Sequence, residues 1–582
     1  MKLFLVTTSL EDTWPNNQEH KVFLGKWCIP YSKNNLKNSS DKLAHYHWDN
    51  REKLYSDFLY LDNIYETLLK ELSVKLNYIH NKNFSENYWR IIIGPWLGYF
   101  VQILFDRWFM LSKTIKEYNI THVKLIKNKN FLTTPKNMQE FINLSRDDFW
   151  NENIYGELIQ LIWKNKINIE YVNKNLQSFS IQNKNSIKHK IKLFYNYFSY
   201  LINRSKINYF FHSTYMDLKK EFWLQLKLGQ FPFFPVSPNY KDFTFNIEKR
   251  NKIKFDDVDL NSFEGIAKTL IPNHLPKIYL EGFNKISLLI NKVYWPKKPK
   301  IIFTSNSYLA DDFFKIWTAN KKEVNSKYVI GQHGGLHGMC KFSFAEEHQY
   351  KTSDFWLSWG YKDKKYSNII PIGNFTLSKK PINLKNKSAL MAIGNFSRYS
   401  DHLYSVPISS QTENYIKDQI ELINSLRQDI KENIILRLYF HDWGWEQEKR
   451  FNDQCSNIKI ENPSQDIKKS LANSRIFIGT YNATTYLETL SWNIPTIIYW
   501  NPEHWEMKES SREYFNLLKS VGIFHTSKKS LITKLENIWD DIDSWWFQTE
   551  VQEARKLFCN VWSRNNKFTQ QKLFKYFKNF VK

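Results

Sequence analysis

The stretch Gly479-Thr480-Tyr481-Asn482-Ala483-Thr484-Thr485, with Glu488 one helical turn beyond Thr484, is the part of this chain best suited to hold a ligand. It follows the apolar run Arg475 to Ile478 and leads into a helical pattern. Free backbone N–H groups, the Thr480, Thr484 and Thr485 hydroxyls and the Asn482 amide then converge on one point, which suits a nucleotide phosphate. The Glu488 carboxylate would stand where it can accept hydrogen bonds from ribose hydroxyls. The same residues also suit ordinary helix capping by Thr484 with a structural acid behind it.

A second cluster is Gly331-Gln332-His333-Gly334-Gly335-Leu336-His337-Gly338. Gly334 and Gly335 let a backbone approach a ligand closely, and His333 offers a neutral base or a phosphate donor. No Gly-Lys-Ser/Thr follows, so this is not a Walker loop. His333, His337 and His348 lack acidic partners at metal spacing, so no metal site is expected. In a third cluster Arg437 and His441 straddle a strand end and could bind a phosphate or a base. Asp311 and Asp312, just past Thr304-Ser305-Asn306, and Glu11, past the first strand, are acids at strand ends. The general base stays open among His333, Asp311, Asp312 and Glu11. Arg90, Trp96, Asp106 and Arg107 belong to an aromatic, charged stretch able to hold a sugar acceptor; a buried aromatic helix with one ion pair explains them equally well.

The elements that must position these residues are short apolar runs ending in polar loops: Leu3 to Thr7, Ile301 to Phe303, Lys327 to Ile330, Leu390 to Ile393, Ile434 to Phe440, Arg475 to Ile478 and Thr496 to Tyr499. Helical patterns separate several of them. Such a succession predicts an α/β fold of open parallel sheets, with ligands at the carboxyl ends of strands. A break near Pro371-Ile372-Gly373-Asn374 divides the chain. The expected organisation is an N-terminal acceptor-side domain over 1–375, with a helical Lys/Asn-rich insertion at about 150–300, and a nucleotide-sugar-binding domain over 376–560. A basic amphipathic helix over 561–582 would follow. Its aromatic residues and lysines suit either an anionic membrane or packing back on the protein. Leu54 to Leu76 has its apolar residues at helical spacing, and Pro95 should start or kink the next helix.

At 582 residues, with 42% hydrophobic content, the chain has material for several cores. Its net charge of +24 calls for a polyanionic neighbour, but no zinc-finger spacing, RNP motif or base-reading helix accompanies it. A nucleic-acid partner is therefore not expected; a sugar nucleotide and an anionic membrane surface account for the charge. Four scattered cysteines suggest a reducing cytoplasm. The opening Met-Lys-Leu-Phe-Leu-Val meets polar residues before a signal peptide is complete, and no stretch is apolar enough to span a bilayer. The expected location is cytoplasmic, possible also as a peripheral protein on the inner face of the cytoplasmic membrane.

Thr7-Thr8-Ser9-Leu10-Glu11-Asp12-Thr13-Trp14, Tyr46-His47-Trp48-Asp49, Tyr88-Trp89-Arg90-Ile91-Ile92-Ile93-Gly94-Pro95-Trp96-Leu97, Phe105-Asp106-Arg107-Trp108 and Gln332-His333-Gly334-Gly335 together resemble the transferases encoded among bacterial O-antigen and surface-carbohydrate genes. The second half also looks like a wider group of GT-B enzymes that includes polysialyl-, Kdo- and CDP-glycerol transferases. In position, His333 matches their His-Gly loop, and Thr484, Thr485 and Glu488 match their cytidine-binding turn. Arg437 and His441 match less well, with three residues between them. The resemblance implies a GT-B architecture of two Rossmann-like domains facing a central cleft. It further implies inverting transfer of a sugar from a CMP-activated donor, of nonulosonate or Kdo type, to a glycan or lipid-linked acceptor, with no organic cofactor. A CDP-linked glycerophosphotransferase, an epimerase and a non-catalytic assembly scaffold are the competing readings.

Overall fold

The computed structural model describes residues 2–16, 18–36, 40–127, 134–173, 187–203, 207–256, 258–382, 387–565 and 568–580. Among the described residues the strands form three sheets. The first holds β1 (Leu3–Val6), β2 (His20–Phe23), β3 (Lys42–Leu43), β4 (His122–Ile126) and β5 (Asn168–Val172), in the order β3-β2-β1-β4-β5. The second holds β6 (Tyr209–His212), β7 (Ile301–Thr304), β8 (Lys327–Gly331), β9 (Phe355–Ser358) and β10 (Ile369–Pro371), in the order β10-β9-β8-β7-β6. The third holds β11 (Ser388–Ala392), β12 (Ile434–Arg437), β13 (Lys459–Ile460), β14 (Ser474–Gly479), β15 (Thr496–Tyr499) and β16 (Phe524–His525), in the order β13-β12-β11-β14-β15-β16.

Every strand pair in these sheets is parallel among the described residues. Strands such as Ile301-Ile302-Phe303 are apolar at every position because helices cover both faces of the sheet. The strand order of the third sheet reverses between β11 and β14, which opens a crevice at their carboxyl ends. The α/β reading of the sequence therefore holds, and the middle and C-terminal sheets face one another across a cleft in GT-B fashion. The first 375 residues divide between two sheets. The 150–300 region supplies helices and also the strands β5 and β6, one to each of the first two sheets.

Two long helices join the first sheet to the others. α1 (Arg51–His80) buries Leu54, Phe58, Leu61, Ile64, Leu68 and Leu72, the residues whose spacing predicted it. Asn50 caps it by accepting from Lys53 N–H, and Asn81 closes it at φ 51°. α2 (Glu86–Tyr118) starts at the Ser85 cap, so Pro95 lies within the helix and does not begin it. Its glycines admit neighbours: a Cβ on Gly98 would lie 1.8 Å from the Phe344 ring.

The middle and C-terminal domains are joined by backbone. Lys341 N donates to Glu506 O and Lys508 N to Met339 O (2.9 and 2.8 Å), and Ser405 N donates to Phe342 O at 3.2 Å. The first domain clamps the C-terminal one through the Arg51 guanidinium, which binds both oxygens of Glu506 and the carbonyl of Val406.

The C-terminal helix (Thr569–Asn579) packs back onto the protein. Leu573 and Phe577 are buried, and the Phe577 ring lies 5.2 Å from Phe211 and 5.3 Å from Phe303 of the middle sheet. Its apolar face is thus covered, and of the two fates the sequence allowed this helix takes the second; residues 566, 567, 581 and 582 lie outside the described residues. Among the described residues no helix is long and apolar enough to cross a membrane.

Candidate active site

The loop after β8 meets the turn after β14. Gly335 N–H donates to Thr484 Oγ1 at 3.0 Å, across the two sheets. A Cβ at Gly335 would stand 2.2 Å from the Ala483 carbonyl oxygen, so only glycine permits this approach. Together the two loops wall a cavity of about 420 Å³, lined among others by Tyr215, Tyr308, His333, His337, His402 and Thr484. Thr484 opens an eight-residue helix whose N-terminal N–H groups point the same way.

His333 is half-buried, and its Nδ1 has no hydrogen-bond partner among the described residues. Burial first, and the neighbouring His337 second, push its pKa down to about 3, so it is a neutral imidazole. His337 is pinned through Nδ1 by the carbonyls of Gly334 and Gly335 (3.3 and 3.2 Å) and is likewise kept neutral by burial. Glu346 holds the far end of this loop, accepting from Gly338 N–H and from Lys508 Nζ, each at 3.0 Å.

The opposite wall carries a dyad that the strand-end pattern did not reveal. His402 Nδ1 lies 2.8 Å from Asp401 Oδ1, and its ring is sandwiched between Tyr99 (4.8 Å, 8°) and Tyr404 (4.3 Å, 4°). Arg146 pairs with the other Asp401 oxygen. Burial would raise the Asp401 carboxyl, but Arg146 and His402 overcome it and hold it well below its ordinary value. An ionised Asp401 fixes the Nδ1–H tautomer of His402, leaving Nε2 as an acceptor. The adjacency of Asp401 and His402 was visible in the chain; what hid the pair is their place in an irregular loop after β11.

The turn after β14 divides its duties. Thr480 is fully buried, donating to Ala392 O at 2.8 Å and bonded to Tyr415 OH at 2.6 Å, and Asn482 accepts from Tyr486 OH at 2.9 Å. These two shape the turn; Thr484 and Thr485 are partly open. Glu488 makes no side-chain hydrogen bond or ion pair among the described residues, and burial lifts its pKa to about 7. Arg437, at the end of β12, is engaged by Glu461, Ser470 and the carbonyls of Pro463 and Gln465. It stiffens the 461–465 loop and has little left for a phosphate. That loop and Leu438, Tyr439 and Phe440 enclose a second cavity of about 440 Å³. His441 is exposed, its backbone carbonyl held by Asn395 Nδ2 at 2.8 Å.

Several residues chosen from the sequence lie elsewhere. Asp312 is sealed inside the middle domain, accepting from Tyr279 OH (2.6 Å) and Met138 N–H (2.7 Å) and paired with Lys315. Asp311 caps its helix at Phe314 N–H and takes bonds from His212 and Ser237. Glu11 is exposed on the first domain and pairs with Lys33 at 3.0 Å. Arg90 bridges α1 and α2 through Glu66 and Glu86. Trp96 is stacked on Phe100 in the core. Asp106 and Arg107 form a buried network with His47 and Asn151: His47 Nε2 to Asp106 and Arg107 Nε to Asn151, both 2.9 Å. The acceptor-binding reading of these four is corrected to a structural one, because α2 is enclosed on nearly every side. Among the described residues no group of three or more His, Cys, Asp or Glu is placed to hold a metal ion.

Among solved structures, the chain is similar to Staphylococcus aureus MnaA in complex with UDP, at 10% identity and a TM-score of 0.37 over 64% of this chain and 96% of that one. It is also similar to Acinetobacter baumannii MurG (10%, 0.31, 64% and 99%) and to TarM (12%, 0.32, 48% and 54%). Likenesses at that level speak to no residue or substrate of this chain. No curated protein matches it in sequence. A family model described as LIC12162 family transferase matches residues 3–577, and the chain belongs to that family.

Proposed function

We propose that this transferase is a glycosyltransferase of bacterial surface-glycan synthesis, moving a sugar from a CMP-linked donor of nonulosonate or Kdo type to a glycan or lipid-linked glycan by inverting displacement. The observation that carries the reading is the contact of Gly335 with Thr484. It sets a neutral histidine loop against a helix N-terminus, with Glu488, unpaired among the described residues, one turn further on. The donor phosphates rest on the N–H groups of the 484–491 helix. Glu488 takes the ribose hydroxyls, and the cavity walled by Tyr439 and Phe440 takes the base. The cytidine assignment rests on the resemblance of the Thr484-Thr485…Glu488 turn to the cytidine-binding turn of polysialyl- and CDP-glycerol transferases.

His402 Nε2 acts as the base. It accepts the proton of the acceptor hydroxyl while that oxygen attacks the anomeric carbon. The bond from carbon to the phosphate oxygen breaks on the opposite side, and the nucleotide leaves with the electron pair. Asp401 stabilises the imidazolium that forms. His333, neutral at every working pH, donates a hydrogen bond to the departing phosphate.

Calorimetric titration of CMP, CDP, UDP and GDP into the wild type, Thr484→Ala and Glu488→Ala tests this. Selective CMP or CDP binding, weakened in both variants, is the expected result. UDP or GDP preference sinks the cytidine donor, and a folded protein that binds none of the four sinks the transferase site in favour of a scaffold.

A further inference from the structure

The Ile187–Ile202 helix is turned inside out. Its inward face carries Asn196 and Ser199, both buried, while Ile191, Phe194, Phe198 and Leu201 face solvent, Phe194 at 71% exposure. Polar bonds hold it this way round: Ser199 Oγ donates to Pro232 O at 2.8 Å, and Tyr195 OH to the same oxygen at 2.9 Å. The neighbouring Leu218–Lys227 helix presents Leu218 (71%) and Trp223 (60%) on the same surface. Between the two lies an apolar groove of about 630 Å³, lined by Ile191, Tyr195, Leu218, Phe222, Trp223 and Phe234. An exposed aromatic patch of this extent marks a docking surface.

Charge selects the occupant. From Tyr171 to Met216 the sequence has seven Lys or Arg and no Asp or Glu. On the structure, Lys192, Lys219 and Lys227 are exposed around the patch. The one acid within the second helix, Glu221, is buried, and the exposed Asp217 before it accepts from Lys219 and Lys220 N–H as the helix cap. Aromatic rings flanked by lysines on helices that lie flat on the surface suit the headgroup zone of an anionic bilayer. The patch also begins three residues after Tyr215, which lines the cleft.

We propose that the two helices dock this protein on an anionic membrane surface, with the cleft mouth at Tyr215 beside the headgroups. Docking so placed brings a lipid-linked acceptor to the cleft; that purpose rests on the transferase reading, whereas the docking itself does not. It assigns to this face the role that the covered C-terminal helix cannot fill.

Co-sedimentation of the full chain with vesicles of phosphatidylglycerol and phosphatidylcholine, and of phosphatidylcholine alone, tests it. Wild type should partition onto the anionic vesicles, and less so at high salt. The double variants Phe194→Ser/Trp223→Ser and Lys192→Glu/Lys219→Glu should each lower that partition about tenfold or more. Both should keep the wild-type circular dichroism melt, because the altered side chains are exposed. Failure of the wild type to bind either vesicle, or equal binding by variants and wild type, overturns the proposal. So does wild-type self-association that the variants abolish without vesicle binding, which would assign the face to a second copy. The assay contains no nucleotide, so a failed nucleotide titration leaves its outcome intact.

Discussion

Glu488→Gln separates a ligand-binding carboxylate from a structural one. Glu488 is half-buried with no hydrogen-bond or ion-pair partner among the described residues, and burial lifts its pKa from 4.5 to about 7, with Lys468 opposing and Asp466 assisting. The folded state therefore favours the neutral acid, and the unfolded chain ionises first. Stability from this group is complete below pH 4.5 and is lost as the pH rises through 7. At about 1.4 kcal/mol per tenfold, the loss amounts to roughly 3 kcal/mol. Glutamine has the same shape and no charge. The variant should match wild type near pH 4.5 and exceed it by roughly 3 kcal/mol at pH 8. For a unit of the C-terminal domain's size that is on the order of 5–10 °C in melting temperature. The same variant should bind CMP more weakly at pH 8 and lose most of its preference for CMP over dCMP. Melting curves at the two pH values, with calorimetry alongside, read both effects. Equal melting differences at pH 4.5 and 8, or a less stable variant at pH 8, would refute the assignment of an unpaired buried carboxylate.

Gly335→Ala sets a methyl group against the Ala483 carbonyl, so the two loops must part; a loss of about 1–3 kcal/mol and weaker nucleotide binding in calorimetry are expected. His402→Gln should lower turnover of a sugar-nucleotide donor by about 10² or more while leaving the nucleotide dissociation constant unchanged, and Asp401→Asn should move the pH profile of turnover. Arg107→Met leaves Asp106 charged in the core beside His47, and denaturant unfolding should show a loss of about 3–5 kcal/mol with nucleotide affinity retained in whatever protein folds.

The parallel sheets were legible because strands covered on both faces carry apolar runs that end in polar loops: Ile301 to Phe303, Ile476 to Ile478 and Ile497 to Tyr499 all behave so. The same rule put the His333 loop and the Thr484 turn each at a carboxyl end, but the contact between them depends on how two sheets pack and was not legible. The strand β6 was missed because Tyr209-Phe-Phe-His212 stands in a Lys/Asn/aromatic run without the usual punctuation. Asp312 and Asp311 were misplaced because a one-residue step along a helix start decides between cleft and core, and sequence position alone does not resolve that step. In α2 the clustering of Trp96, Asp106 and Arg107 was real. Its cause is a helix buried nearly all round, which must satisfy its own charges internally, and no ligand is required. The His402 sandwich could not be read at all, since Tyr99 and Arg146 come to it from the N-terminal half of the chain.

Those long-range contacts bear on how the cleft works. A hinge that opens widely needs few bonds across its mouth, yet here the 339–344 segment exchanges backbone hydrogen bonds with 403–405 and 506–508, and Arg51 locks Glu506 from a third domain. Asp148 of the first domain is bonded at once by Ser9, Arg398 and Tyr399, tying the loop that carries His402. Opening the cleft would break these together, at about 1 kcal/mol for each neutral bond and more for the charged ones. These bonds hold the cleft assembled on their own, and nucleotide binding should proceed without domain closure. Small-angle scattering should give the same radius of gyration with and without saturating CMP. Arg51→Ala should loosen the junction, visible as a larger radius without ligand that contracts on CMP addition. A wild-type contraction on binding would mean that the bonds across the junction are weaker than the entropy of an open hinge, and the first domain would then be a passenger instead of a clamp.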